Sequence, residues 1–240
     1  LARSLFKQEK YTDAVSLCSS LLADDPERAD IWMLQANAFI GMNKPLKAAE
    51  NYEFVDRLGE STVDSLNMLG DIYINAALFD SAVTAYLRAL RMDLEHDPSR
   101  AIRAAQVLTA QGALAEAKKL ISTIEILYSY YTTDAQKKDL LKLQARIAVS
   151  EGAGDEEVRI LEEIVELDPL DGEALILLGQ HSARTGENEK AVFYFERAAS
   201  IEQFEADAKI RHAQLLVKLG KYKEALPLLR RAQFLDPRED

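Results

Sequence analysis

Three histidines, one cysteine and several adjacent acid pairs are the residues of this 240-residue chain best equipped for chemistry. His96, His181 and His212 would act as general bases or metal ligands if they converged, because a neutral imidazole offers a lone pair near pH 7. They lie far apart in sequence, and neither H-E-x-x-H nor a paired C-x-x-C occurs to gather a zinc ligand set. Structural or solvated roles are expected for all three. A nucleophilic Cys18 would need to be a thiolate. It falls instead in a column of bulky residues, where a buried, inert thiol is expected. Paired carboxylates can divide acid and base work, but Asp24-Asp25, Glu156-Glu157 and Glu162-Glu163 lie where turns and outer helix faces are expected. They read as solvated surface. The phosphate cradles G-x-G-x-x-G and G-x-x-x-x-G-K-[ST] and the nucleophile elbow G-x-S-x-G are also missing. The expectation is a non-enzyme with no catalytic, cofactor or metal site.

Composition narrows the partners. With 29 basic and 40 acidic residues the formal charge is −11, which repels phosphate backbones, so no nucleic acid is expected. A 48% hydrophobic content suffices for a core, yet no run of about 18 apolar residues suggests membrane insertion. A single cysteine forms no internal disulfide and does not separate cytoplasm from periplasm. The opening "LARSLFKQEK" has no apolar signal-peptide run and resembles the middle of a helix. A fragment is therefore expected, with any targeting segment outside it and the compartment open.

The elements that would position any site emerge from self-comparison. Ala2, Ala36, Gly70, Ala105, Ala145, Gly179 and Ala213 recur at intervals of 34, 34, 35, 40, 34 and 34 residues. Twelve residues later come Ala14, Ala48, Ala82, Ala117, Glu157, Ala191 and Ala225. Sixteen residues after the first column stand Cys18, Tyr52, Tyr86, Ile121, Leu161, Phe195 and Leu229. Turn signals fall between the first two columns, in "GMNKP", "TAQGA", "SEGAGD", "RTGENE" and "KLGKY". Each period is thus helix, turn, helix. Trp32, Ala36 and Phe39, or Leu66, Leu69, Gly70 and Tyr73, make one helical face. Small residues let paired helices approach, so Gly70 marks a close contact and not a helix end. Alanine, present at five equivalent sites, should be tolerated there, and leucine should not. Helices this short are marginal alone, so each pair must bury its stripe on the next.

The chain resembles the tetratricopeptide repeat family, on Trp32, on Leu69-Gly70 with Tyr73, on Ala82, Tyr86 and Ala89, and on the closing prolines Pro26, Pro169 and Pro237. The resemblance implies an all-α, right-handed α-solenoid of stacked helix-turn-helix repeats. It divides as a truncated unit 1–28 followed by units 29–62, 63–97, 98–137, 138–171, 172–205 and 206–240. Three departures stand out. Glu157 replaces an alanine and should loosen the second helix of its unit. Six additional residues near "ILYSYYTTDAQ" should lengthen the second helix of the 98–137 unit, which carries Tyr128, Tyr130 and Tyr131, so that residues 128–134 form an extended helix end or a loop with at least one tyrosine packed between units. One extra residue falls near "LEHDPS".

In this family first helices line the concave surface. The same offsets in each repeat then give a candidate peptide groove of Asn37, Asn67, Met68, Asn75, Arg103, Gln106, Lys142, Arg146, Gln180, Arg184, Arg211, Gln214 and Lys218. Met33, Ile74, Ile102, Leu143 and Ile176 are apolar members of the same rows. Asp30, Asp64, Asp139, Glu173 and Asp207 form a column expected at helix starts, where a carboxylate meets the positive end of the dipole. Past that turn the later repeats carry bases and no acid. A basic groove and lysines and arginines that merely snorkel are both consistent with this. Some family members hold C-terminal carboxylates with a fixed Lys, Asn and Arg set; here Asn37 and Arg103 supply two of its places, but Met33, Met68 and Ser99 occupy the rest, so that clamp is not expected. The implied function is a scaffold binding a peptide segment of a partner, with an acidic segment as the candidate. The alternative is a targeting or regulatory arm of a larger enzyme or signalling protein. Self-association through uncapped ends is the third reading.

Overall fold

A computed structural model describes residues 2–236, so Pro237 lies outside the described residues. The chain divides after Thr132 into two compact units. The first contains α1 (Ala2–Lys7), α2 (Tyr11–Asp24), α3 (Ala29–Gly41), α4 (Pro45–Arg57), α5 (Val63–Asn75), α6 (Phe79–Met92), α7 (Ser99–Ala110) and α8 (Leu114–Tyr128). The second contains α9 (Asp134–Glu151), α10 (Gly154–Leu167), α11 (Gly172–Thr185), α12 (Asn188–Ala199), α13 (Glu205–Lys218) and α14 (Tyr222–Leu235). A single 3₁₀ turn, Glu202–Phe204, precedes α13, and there is no strand among the described residues. Consecutive helices pair as hairpins, and within each unit hairpins stack on their neighbours as a solenoid. No helix of the described residues is long and apolar enough to cross a membrane.

Every hairpin turns through one left-handed residue. Glu9, Asn43, Ala77, Gly112, Gly152, Gly186 and Gly220 all have positive φ, from 56° to 85°. They lie seven residues after the first column of small residues, in the same register. Glycine adopts this conformation without a Cβ clash, and asparagine more readily than most. The turn at Ala77 carries neither and gave no turn signal in the sequence.

Packing follows the columns. Ala36, Ala105, Ala213, Ala14, Ala48, Ala82, Ala117, Ala191 and Cys18 are completely buried. Burial pushes the Cys18 thiol pKa up, which holds it protonated. A Cβ on Gly70 would stand 2.7 Å from the ring of Tyr86, and one on Gly179 would stand 2.5 Å from the ring of Phe195. The two glycines are where an aromatic ring has sunk into the small-residue column. Leu229, placed by its column among core residues, is 41% exposed.

The irregular segment takes the loop form of its expectation, with Tyr128 packed between repeats, and not the longer second helix. Helix α8 stops at Tyr128, so Tyr130 and Tyr131 are not helical, and the additional residues lengthen α9, at 18 residues, instead. Thr133 and Gln136 form a capping box there, which fixes the start of α9 ahead of residue 138. Asp139 therefore lies beyond the first turn, unlike Asp30, Asp64, Glu173 and Asp207. Tyr128 is buried, and its hydroxyl donates to the Leu90 carbonyl at 2.8 Å. His96 stacks on Tyr131 with centroids 4.0 Å apart. Glu157 is buried, but Ile160, Leu161 and Ile164 beside it are buried too, so α10 is not splayed.

Candidate functional site

The bulky column and the first-helix surface meet at the residue following each small one. Asn37 and Asp71 occupy equivalent places, and the hydroxyls of Tyr52 and Tyr86, each fifteen residues on, donate to them. Arg100 also bonds the Asp71 carboxylate and brings its guanidinium 3.3 Å from the Met68 sulfur. Burial, together with the bond to Asp71, drives the Tyr86 phenol pKa strongly up. Asn37 and Met68 are thus drawn into the protein's own network. Asn67 is half-buried and Asn75 exposed.

Two crevices open on the first-helix surface, and both lie at the glycine–aromatic contacts. In the first unit Tyr86 floors a cavity of about 440 Å³ between α5 and α7, lined by Asp71, Ile74, Asn75, Arg100, Arg103, Ala104 and Val107. In the second unit Phe195 floors one of about 320 Å³ between α11 and α13, lined by Gln180, Ala183, Arg184, Arg211, Gln214, Leu215 and Lys218. Both volumes lie within the range of ligand-binding clefts. Five of the thirteen candidate groove residues are gathered in the second crevice, and Asn75 and Arg103 reach the first.

The cations differ in how far they are compensated. Lys142 lies 3.0 Å from both Asp171 and Glu173. Although burial pulls its pKa down, bonds to those two acids raise it overall, so the ammonium is committed to them. Asp171 is buried, caps α11 through the Ala174 N–H at 3.1 Å, and also faces Lys138 at 3.6 Å. Arg211 reaches Asp207 at 3.1 Å along the exposed face of α13, and Arg184 reaches Glu157 at 3.7 Å. Among the described residues Lys218 donates to the Ala183 carbonyl alone, at 3.4 Å. Arg103 and Arg146 are exposed and make no ion pair among the described residues. Neither Lys142, Arg146 nor Gln106 lines either crevice. The apolar row members Ile102, Leu143 and Ile176 are buried, because their side chains turn into the helix packing.

His96 and His181 line neither crevice, whereas His212 lies against the floor of the second. His212 stacks on Phe195, and burial lowers its pKa. His181 packs beside Gly154 with a buried Nδ1 that has no hydrogen-bond partner in the structure. No group of three potential metal ligands forms among the described residues. A buried polar chain escaped the sequence reading: Asn51 donates to Gln35 at 2.9 Å, and Gln35 to Ser19 at 2.8 Å, joining α4, α3 and α2. Nothing in residue spacing marks it, since glutamine and asparagine look alike on a solvated face and in a core.

Sequence models of the tetratricopeptide repeat match residues 1–59 and 143–208, and residues 63–96 and 206–239. No curated protein matches the chain. Among solved structures, the C-terminal part of a TPR repeat-containing protein from Cytophaga hutchinsonii is similar at 14% identity and a TM-score of 0.60, over 100% of this chain and 95% of that one. PilF of Pseudomonas aeruginosa is similar at 12% identity and a TM-score of 0.53, over 88% of this chain and 93% of that one. A chain in the structure of Naa15/Naa10 bound to HypK-THB is similar at 17% identity and a TM-score of 0.66, over 99% of this chain but 36% of that one.

Proposed function

Since this chain belongs to the tetratricopeptide repeat family, whose repeats are protein-interaction scaffolds, we propose that it is a non-catalytic scaffold that holds an acidic segment of a partner protein against the first helices of its second unit. One observation carries the reading. Arg184, Arg211 and Lys218 surround a single crevice whose lining contains no carboxylate, in a chain of net charge −11. Gln180 and Gln214 leave their amides free beside them, able to bond a peptide backbone. A guanidinium grips a carboxylate through two parallel hydrogen bonds, which suits the arginines to aspartate or glutamate side chains.

The test is an array of capped dodecapeptides of acidic, neutral and basic composition. Acid-rich peptides should be retained and basic ones not, with binding falling as ionic strength rises from about 0.01 M to 0.15 M, where screening shortens from roughly 30 to 8 Å. Replacing Arg184 and Arg211 together by alanine should abolish retention. Equal retention of all three classes, or none, overturns the reading. The exposed Leu226, Leu229 and Phe234 on α14 favour a second reading, association of two copies through that helix, which light scattering tests.

A further inference from the structure

The two crevices are one repeat device built twice. Gly70 with Tyr86 and Gly179 with Phe195 stand at the same offsets, and each aromatic floors the gap between two successive first helices. Arg103 in the first crevice corresponds to Arg211 in the second. The difference lies beside the floor. In the first unit the phenol of Tyr86 donates to Asp71, which keeps a carboxylate in the crevice wall and bonded to Arg100. In the second unit the same place is Gln180, Phe195 has no hydroxyl to give, and the place of Arg100 is Ala208. Arg184 then stands where the first crevice has Asn75.

From this we infer that the residue pair at the floor sets the charge preference: Gln180 with Phe195 makes the second crevice accept a partner carboxylate, whereas Asp71 with Tyr86 makes the first reject one. This rests on the proposed binding of an acidic segment and adds which residues decide it. An entering carboxylate in the first crevice would meet the Asp71 charge at short range and would compete with it for Arg100. Like-charge contact of this kind is how binding surfaces exclude wrong partners. In the second crevice the acids that pair with the arginines lie outside the lining, Asp207 on Arg211 and Glu157 at 3.7 Å from Arg184. Both arginines are solvent-accessible enough to swing toward a ligand.

The experiment exchanges the two floors and uses the best acid-rich dodecapeptide from the array, read by calorimetry on the full chain. Gln180→Asp with Phe195→Tyr should weaken binding by at least about tenfold, a change of about 1.4 kcal/mol. Because Phe195 is buried, Gln180→Asp alone at the half-buried surface position serves as the variant that leaves the core untouched, and it should weaken binding in the same direction. Asp71→Gln with Tyr86→Phe should create a second acidic site, moving the stoichiometry from one peptide per chain toward two. Unchanged affinity in both Gln180→Asp variants, or a stoichiometry that stays at one after the first-unit exchange, overturns the inference while leaving acidic-segment binding intact. A wild-type chain that binds no acidic peptide overturns both.

Discussion

The ring of Tyr86 occupies the space in which a side chain on Gly70 would have to fit, with ring carbons 2.7 Å from the missing Cβ. This changes the expected cost of substitution. Alanine is found at five equivalent positions; in four of these the facing bulky residue is Cys18, Ile121, Leu161 or Leu229, none of them aromatic, and in the fifth Ala36 faces Tyr52. Ala36 with Tyr52 shows that the column accommodates alanine beside a tyrosine, but at Gly70 the ring itself lies where the Cβ would go and has to shift. Alanine gains about 1 kcal/mol of helix propensity over glycine, while overpacking costs about 1–3 kcal/mol. Gly70→Ala should destabilise the chain and Gly70→Leu should do so more severely. Tyr86→Ile reproduces the Ala105–Ile121 pairing, so in a double-mutant cycle it should recover part of the alanine cost. Denaturant unfolding of the four proteins measures the coupling, and additive effects would contradict the contact.

Ala77 turns the hairpin between α5 and α6 at φ 57°, where four of the equivalent residues are glycine. A left-handed conformation costs a residue with a Cβ roughly 1–2 kcal/mol. Glycine there relieves that strain but has more unfolded-state entropy to lose, about 0.4–1 kcal/mol. Ala77→Gly should raise the melting temperature modestly. Ala76→Gly, one residue earlier at φ −90°, should lower it or leave it unchanged. The order of the three melting temperatures decides the matter.

The architecture was legible because repeats write their packing into the sequence many times over. Small residues at Gly70 and Gly179 and bulky ones at Tyr86 and Phe195 mark where helices touch, and the structure places each glycine against its ring. Single events were not legible. That Asp171 commits Lys142 depends on a cap at α11 meeting α9 across 29 residues of chain, which no offset within one repeat encodes. The extension of α9 instead of α8 turns on the capping box at Thr133 and Gln136, a local feature that the repeat columns do not register. The rows of candidate groove residues placed Gln180, Arg184, Arg211, Gln214 and Lys218 on one surface. Which arginines are left uncompensated could be read only from side-chain geometry.

Asp56 near the end of α4 bonds Arg88 on α6 and accepts a hydrogen bond from Ser61 at 2.7 Å. The bond from Arg88 is the main reason the Asp56 carboxyl titrates below its ordinary value. A group with a depressed folded pKa binds protons more weakly when folded than when unfolded. Its contribution is therefore complete above the unfolded value, about 3.9 for aspartate, and is lost as pH falls through the folded value. Asp56→Asn removes the charge at every pH. The variant should melt below the wild type at pH 7, by a margin kept small because both partners are partly exposed. That margin should narrow as the pH falls below about 4 and go on shrinking as it passes through the depressed folded value, where the wild-type carboxylate becomes protonated as well. Subtracting the two melting curves cancels the other carboxylates, which titrate in both proteins. A margin that stays constant from pH 7 to pH 2 would mean that Asp56 acts through its shape and neutral hydrogen bonds, and not through its charge on Arg88.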